Sequence, residues 1–237
     1  MARARRPQTE TAEPAERVHL SEERVLRAAV ALADREGLEG LTMRKLADEL
    51  GAGAMSLYYY FPNKDELLDG MIDIVFDEIE PPSTDVDWKT AMRRRAISTR
   101  EALNRHRWAV GQMEGRANPG PASARLHEAV LACLRQAGFS IENTIHAYSV
   151  QDAYIYGFAL QEKSLPFEDA EGSTEMAVAT TEQVADLAAE FPYLAEVVVG
   201  HVATVGYDFA SEFDFGLDVI LDGLERLRDS AANVPSE

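Results

Sequence analysis

Between residues 21 and 66 the sequence alternates helix-forming runs with strong helix breaks, which limits this part of the chain to short, closely connected helices. Ser21 and Thr42 each precede a run with apolar residues at helical spacing, and their side-chain oxygens suit the N-cap position. Gly37 is expected to end the first helix and Gly51 the second. A third, short helix is predicted over residues 55–60. Because helices of this length depend on packing for their stability, the three are expected to form one unit.

A longer helix is predicted directly after this unit. Pro62 disfavours a helical conformation in the residue before it and so ends the third helix. Asn63 or Lys64 begins a helix that continues to Glu80, where two prolines stop it. Short helices joined by a glycine turn are typical of a helix-turn-helix, whose last helix enters the major groove of DNA. Other small helical bundles also fit this pattern when it is taken alone.

The residues that fill the pattern resemble the signature of the TetR family of DNA-binding regulators. The matching segments are Leu41-Thr42-Met43-Arg44-Lys45-Leu46-Ala47, Leu50-Gly51, and the run SLYYYFPNKDELL that begins at Ser56. The resemblance implies an all-α fold of two domains. The expected divisions are a flexible arm over 1–20, a helix-turn-helix domain over 21–66, a ligand-binding and dimerisation domain over 67–230, and a tail over 231–237.

The resemblance and side-chain chemistry together imply which residues contact DNA. Arg44 matches an arginine that can bridge two acceptors of guanine, and Thr42 matches a contact to the DNA backbone. Contacts to phosphates and sugars are implied for Ser56, Tyr58, Tyr60 and Lys64.

The third helix carries an unusual set of residues at the positions expected to face bases. These are Gly53, Ala54 and Met55, and none has a side-chain hydrogen-bond donor. We therefore expect sparse direct readout, with Arg44 and the shape of the DNA supplying much of the discrimination. Successive helical residues point about 100° apart, so the tyrosine run cannot face one way. Leu57 and Tyr59 are assigned mainly to packing.

The charge distribution needs explanation for a DNA-binding chain. The formal net charge is −18, and it is concentrated after residue 70: residues 1–70 carry −3 and residues 71–237 carry −15. An acidic body would repel DNA and discourage nonspecific docking, although an ordinary solvated surface explains the acid equally well. Arg3, Arg5 and Arg6 in the arm either reach phosphates or belong to a disordered tail.

No segment of the sequence suggests a compartment other than the cytoplasm. The first 20 residues are polar and charged, without the apolar stretch of a signal peptide. The longest apolar tract, 193–206, is too short to span a membrane and is better interpreted as a core helix. The single cysteine, Cys133, excludes an internal disulfide framework and suits a reduced compartment.

The part after residue 85 is predicted to be a bundle of long helices. Expected helices cover 86–107, 124–137, a segment capped by Ser140, 174–190 and 211–229. Residues 153–160 are apolar on all sides and are expected to be fully buried. The last helix has a heptad-like seam made of Phe213, Leu217, Ile220, Leu224 and Leu227, with Gly216 and Gly223 allowing close helix approach. This seam and the apolar helix over 153–160 are expected to form the dimer contact, two helices from each subunit.

Two segments of this region, 134–143 and 215–225, look like the C-terminal domain of the tetracycline-repressor branch of the family. The likeness implies a homodimer held by a four-helix bundle and an internal ligand cavity in each subunit. The tetracycline branch binds a magnesium chelate with two histidines and a glutamate. The matching positions here are Met113, Ala153 and Gln161, which are poor ligands for a hard cation, so neither a metal nor a cofactor is expected.

A largely apolar effector is expected instead, in a cavity with aromatic walls and a few polar anchors. Ordinary core packing is the alternative role for each candidate lining residue. The candidates are Arg95, Thr99, Trp108, Met113, Tyr148, Asp152 and Phe158.

The sequence therefore predicts a ligand-responsive transcriptional repressor that binds a palindromic operator as a homodimer and is released by a small effector. An enzyme is not expected, because the five histidines are scattered and no catalytic triad, phosphate loop or metal spacing occurs. The remaining alternatives are a helical adaptor that binds only protein and a ligand-binding protein that does not bind DNA.

Overall fold

The computed structural model describes residues 20–113, 120–165, 188–202 and 209–232, and these contain helices and no strand, as the all-α expectation requires. The helices are α1 (Glu22–Gly40), α2 (Met43–Glu49), α3 (Ala54–Tyr60), α4 (Lys64–Asp77), α5 (Trp88–Arg105), α6 (Pro121–Gln136), α7 (Ile141–Ser164), α8 (Pro192–Val197) and α9 (Phe209–Ala232). The arm over 1–19, most of the helix expected over 174–190, and the end of the tail lie outside the described residues.

Local capping sets the helix boundaries in the N-terminal part. The side chains of Ser21, Thr42 and Asn63 accept hydrogen bonds from backbone N–H groups three residues later, at 3.3, 3.2 and 2.8 Å. Gly37 interrupts α1 with a φ of 72°, and Gly51 separates α2 from α3 with a φ of 60°. Both angles lie in the left-handed region that glycine adopts without steric cost. These predicted caps and breaks are confirmed.

Helices α1 to α3 form a small unit, here called the head, whose core continues into the rest of the chain. Leu46 and Leu57 from α2 and α3 are fully buried. They belong to the same apolar cluster as Phe76 of α4, Leu103 of α5 and Trp108 of the turn after α5. The head and the helices from α5 onward, here called the body, therefore share one core.

Helix α4 connects the head to the body and is tied to the body by a side chain that caps another helix. Asp73 Oδ1 accepts hydrogen bonds from the backbone N–H groups of Ala122 and Ser123, at 2.9 and 3.0 Å. Gly120 occupies the N-cap of α6 and offers no capping side chain of its own. A Cβ at Gly120 would lie 2.2 Å from Asp73 Cγ, so glycine allows this close approach.

The body has a second apolar cluster between α5, α6, α7 and α9. Trp88 meets Phe139 edge to face with ring centroids 4.9 Å apart. From α9, four residues spaced along one side enter this cluster: Phe213, Leu217, Leu221 and Leu224. Gly216 lets α9 approach α7, since a Cβ there would lie 2.2 Å from the hydroxyl of Tyr154.

Within one subunit, the burial of three parts of the body differs from the sequence expectation. Most of the heptad-like seam of α9 packs inside its own subunit, while its last member, Leu227, is exposed. Residues 153–160 are not buried all round, because Ala153 and Leu160 are exposed. The apolar tract from residue 193 forms α8 and a π-helical turn, and Tyr193 at its start is 81% exposed.

Among the described helices, none combines the length with the apolar character that crossing a bilayer requires.

We expect Asp73→Asn to lower the free energy of unfolding by about 1 kcal/mol, because an amide accepts the two N–H groups at the start of α6 less strongly than a carboxylate. Urea unfolding at neutral pH measures the change. The matched control is Asp77→Asn, one turn later on α4, where the carboxylate forms an exposed ion pair with Arg125. Equal destabilisation by both substitutions would contradict the capping role of Asp73.

Candidate nucleic-acid interface and effector site

Helix α3 presents one face to the core and the opposite face to solvent. Leu57 is fully buried against the head. Met55 and Tyr59, four residues apart, are 81% and 82% exposed, and Tyr58 lies between them at 43%. Side chains at i, i+3 and i+4 share a helix face, so these three residues form one outward surface. An exposed helix preceded by a tight glycine turn is the arrangement that enters a major groove.

Most of the predicted DNA contacts lie on the outside of the head. Ala54 and Tyr60 are half-buried. The other predicted contacts are exposed: Thr42, Arg44, Gly53, Met55, Ser56, Tyr58 and Lys64. Arg44 lies in the first turn of α2. Within the described residues its guanidinium has no hydrogen bond or ion pair, so its donors are available to a ligand outside the chain.

Two of the predicted contacts already have partners within the chain. The Tyr60 hydroxyl donates to the carbonyl of Leu20 at 2.7 Å, and Lys64 Nζ donates to the carbonyl of Leu38 at 2.9 Å. These bonds fix the two ends of α1 against α3 and α4. Tyr60 thus turns back toward the head, although its oxygen can still accept a hydrogen bond, and Lys64 keeps further N–H donors.

The assignment of Tyr59 to packing is wrong. Its ring is 82% exposed and contacts Tyr60 edge to face, with centroids 5.3 Å apart. The spacing of four from Met55 was the signal in the sequence that places Tyr59 on the outer face. The assignment of Leu57 to packing is confirmed.

The body contains a buried ion pair between two of the predicted effector-contacting residues. Arg95 of α5 is 2% exposed, and its Nη1 lies 2.6 Å from Oδ1 of Asp152 on α7. Burial opposes the charge on Arg95, but its interactions with Asp152, Tyr156 and Tyr148 together outweigh burial and raise the pKa of the guanidinium. Burial, followed by the charge of Asp152, raises the pKa of Tyr148 well above its ordinary value. Thr99, one turn after Arg95, is fully buried and donates to the Arg95 carbonyl at 2.8 Å.

Sequence reasoning missed Gln151, which precedes Asp152. Its side chain is fully buried, and neither its amide nitrogen nor its amide oxygen has a hydrogen-bond partner among the described residues. A polar residue inside a long helix carries no signal of burial until the neighbouring helices are placed. The helical spacing from Ala147 to Ile155, both buried, was the available hint.

The other predicted effector contacts lie elsewhere in the body. Trp108 and Met113 belong to the cluster shared with the head, and Phe158 lies in an aromatic group with Phe209 and Phe213. Arg100 covers Phe158 and Phe213, with its guanidinium carbon 5.1 and 4.9 Å from the ring centroids. The structure thus groups Arg95, Thr99, Tyr148 and Asp152 but not the remaining three.

Trp108 takes part in a polar junction between head and body. Its indole Nε1 donates to Asp34 Oδ1 of α1 at 2.7 Å. The ring nitrogens of His106 lie 2.8 Å from the same Asp34 oxygen and 3.2 Å from Glu78 Oε1 at the end of α4. Burial would raise the pKa of Glu78, but hydrogen bonds from Arg105 and His106 outweigh it and lower that pKa below its ordinary 4.5.

Two clefts lie near the junction between head and body. One of about 410 Å³ lies between the end of α1 and the end of α5, and one of about 380 Å³ lies between α1, α4 and the start of α6. The described residues contain no group of three or more His, Cys, Asp or Glu arranged to hold a metal ion.

An exposed helix after a glycine turn, on a head that shares its core with a helical body, defines a helix-turn-helix DNA-binding regulator. The comparisons identify the family. Residues 25–71 match the model of bacterial regulatory proteins of the tetR family, and residues 80–228 match the tetracyclin repressor-like C-terminal domain. The chain belongs to the TetR family, whose members bind operator DNA and small-molecule ligands as dimers.

Individual relatives extend over most of the chain. The transcriptional repressor DrrR1 of Streptomyces coeruleorubidus is 38% identical over 88% of this chain and 78% of its own. The class A tetracycline repressor from transposon 1721 of Escherichia coli is 32% identical over 89% of this chain and 93% of its own. The crystal structure of apo ActR from Streptomyces coelicolor has a TM-score of 0.76 at 28% identity and covers 90% of this chain and 98% of its own.

The lowered pKa of Glu78 gives a pH-dependent prediction. A carboxylate whose pKa is depressed by folding stabilises the fold above its unfolded pKa, and this contribution is lost as the pH falls toward the folded value. We expect the stability difference between the wild type and Glu78→Gln to be largest at neutral pH and to shrink below pH 4.5. Thermal unfolding across a pH series measures it. Glu80→Gln, an exposed carboxylate two residues later, is the control, and a pH-independent difference for Glu78→Gln would refute the assignment.

Proposed function

We propose that this chain is a ligand-responsive repressor that binds a palindromic operator as a homodimer and is released by a small, largely apolar effector. The observation that carries the proposal is the outward face of α3, formed by Met55, Tyr58 and Tyr59, on a head whose orientation is fixed by the body. We place its action in the cytoplasm, where operator DNA is available.

The head is proposed to dock with α3 in the major groove and the start of α2 at its edge. Arg44 reads a guanine, and Thr42, Ser56, Tyr58 and Lys64 contact phosphates or sugars. Tyr59 joins them because of its exposure. Two heads of a dimer would meet half-sites about one helical turn, roughly 34 Å, apart.

The proposed dimer forms through exposed apolar residues of α7 and α9. On α9, Phe215 and Val219 lie one turn apart and are 70% and 54% exposed, while the opposite side of the helix is buried in the subunit. On α7, Ile145, Val150 and Leu160 are exposed. Packing two such helices from each subunit gives a four-helix bundle.

The effector is proposed to act from the polar group of the body formed by Arg95, Thr99, Tyr148 and Asp152. The solved complexes of relatives support a small organic effector: ActR of Streptomyces coelicolor was crystallised with actinorhodin, and a TetR of Acinetobacter baumannii with minocycline. Arg95 and Arg105 lie on the same continuous helix, α5. The Arg105 side chain donates a hydrogen bond to Glu78, at the end of α4, at 2.8 Å. A shift of α5 therefore reaches the helix that carries the head.

The DNA-binding part of the proposal is tested with Arg44→Ala. We expect a loss of about 1–3 kcal/mol in affinity for an operator selected from a random pool, because a bidentate contact to guanine disappears. Fluorescence anisotropy on labelled duplex measures the affinity. Arg125→Ala removes one exposed positive charge from α6 and should leave binding unchanged.

Binding that is equally strong in Arg44→Ala, Arg125→Ala and the wild type would count against DNA reading by α2. Absence of any duplex binding at low ionic strength would favour a protein-binding adaptor or a ligand-binding protein without DNA affinity.

The dimer is tested with Val219→Glu. A charge placed on an apolar interface loses its hydration there, so we expect the variant to sediment as a monomer at concentrations where the wild type is dimeric. Analytical ultracentrifugation decides between the two. Ala31→Glu adds the same charge at an exposed position of α1 and should stay dimeric. A dimeric Val219→Glu would rule out this face of α9 as the interface.

A further inference from the structure

The side-chain amide of Gln151 is the least satisfied polar group in the described body. It is fully buried, and both its nitrogen and its oxygen lack hydrogen-bond partners among the described residues. Polar groups with neither water nor a protein partner are destabilising, and folded proteins pair the great majority of them. Leucine or methionine would fill this position of α7 without that cost. The amide therefore points to a partner from outside the chain.

The adjacent ion pair shares this incomplete pairing. Arg95 Nε and Nη1 and Asp152 Oδ1 also lack hydrogen bonds among the described residues, although Nη1 and Oδ1 lie 2.6 Å apart as an ion pair. Arg95 comes from α5, while Gln151 and Asp152 are consecutive on the buried side of α7. The Gln151 amide thus keeps an unused donor and an unused acceptor, Arg95 Nε keeps a further unused donor, and the two charges of the ion pair cancel.

We propose that Gln151 is a specificity-determining residue for the effector, and that it selects neutral ligands with a hydrogen-bond donor beside an acceptor, such as a carboxamide or lactam edge. This inference rests on the proposed function, since it assumes an effector in the body. An amide offers N–H donors and a carbonyl acceptor in one plane, and another amide-like edge complements both.

Charge balance excludes the other ligand classes. An anion or a cation would leave one uncompensated charge beside the neutral Arg95–Asp152 pair, and an unpaired buried charge is strongly unfavourable. A purely apolar ligand would leave the Gln151 amide unpaired. Ala147 and Ile155 lie one turn before and after Gln151 on α7, and both are buried in the apolar cluster of the body with Met92 of α5. In the proposal these residues supply apolar walls for the rest of the molecule.

Four probes with the same ring separate these classes: benzamide, benzoate, benzamidinium and toluene. They are titrated into the full-length protein, and the side-chain amide signals of Gln151 are followed by ¹⁵N–¹H NMR, assigned by their absence in Gln151→Leu. We expect benzamide to shift these signals and to bind roughly tenfold more tightly than the other three. Gln151→Leu should remove this preference. Gln136→Leu, the same substitution at an exposed position at the end of α6, should keep it.

Thermal unfolding without probe supplies a second readout. Gln151→Leu should unfold at a higher temperature than the wild type, because an unpaired polar group has been removed. Strongest binding by benzoate or benzamidinium would overturn the neutral class. Equal binding of benzamide to the wild type and Gln151→Leu, or no binding of any probe, would overturn the role of Gln151. Operator binding, measured separately on the same samples, tells failure of the proposed function apart from failure of this inference.

Discussion

One carboxylate joins the DNA-facing head to the body. Asp34 Oδ1 accepts the indole N–H of Trp108 at 2.7 Å and lies 2.8 Å from a ring nitrogen of His106. Three short helices bury too little apolar surface to fold stably alone. The head therefore depends on the apolar core that it shares with the body. The hydrogen bonds of Asp34 fix the orientation of the head relative to the body. The direction in which α3 points is consequently a property of the whole subunit.

The body holds α4 at two points, one in its second half and one directly after its last residue. Asp73 caps α6, while Glu78 accepts hydrogen bonds from Arg105 at the end of α5. Arg105 lies ten positions after Arg95 on α5, a distance of about 15 Å along a continuous helix. A ligand that moves α5 at Arg95 therefore also moves the anchor of α4, with no flexible segment between them. This is a physical route for coupling, carried by packed helices and charged hydrogen bonds.

The sequence predicted well whatever depends on neighbouring residues. Caps at Ser21, Thr42 and Ser140 and the break at Gly51 need only local hydrogen bonds and backbone angles, and each lies where expected. Predictions failed where burial depends on distant helices. The seam of α9 has the spacing of a dimer contact, yet it packs on the helices of its own subunit. Trp108, a candidate for the effector site, donates its indole N–H to Asp34, 74 residues earlier in the chain. No local pattern indicates such partners, and for Gln151 the only local hint of burial was its helical spacing from Ala147 and Ile155.

The sparse base-reading surface has a consequence for how repression ends. In the proposed docking, Gly53, Ala54 and Met55 offer no side-chain donors, so the operator affinity comes mainly from Arg44 and from contacts to phosphates, which carry little sequence information themselves. Phosphate contacts depend on register, and a palindromic site requires both heads of a dimer to be in register at once. In the proposed mechanism, a small rotation of the head, carried by the contacts of Asp73 and Asp34, weakens contacts at both half-sites together. A coupling free energy of about 1–3 kcal/mol, typical of allosteric proteins, would lower the operator affinity of such a dimer roughly 5- to 150-fold.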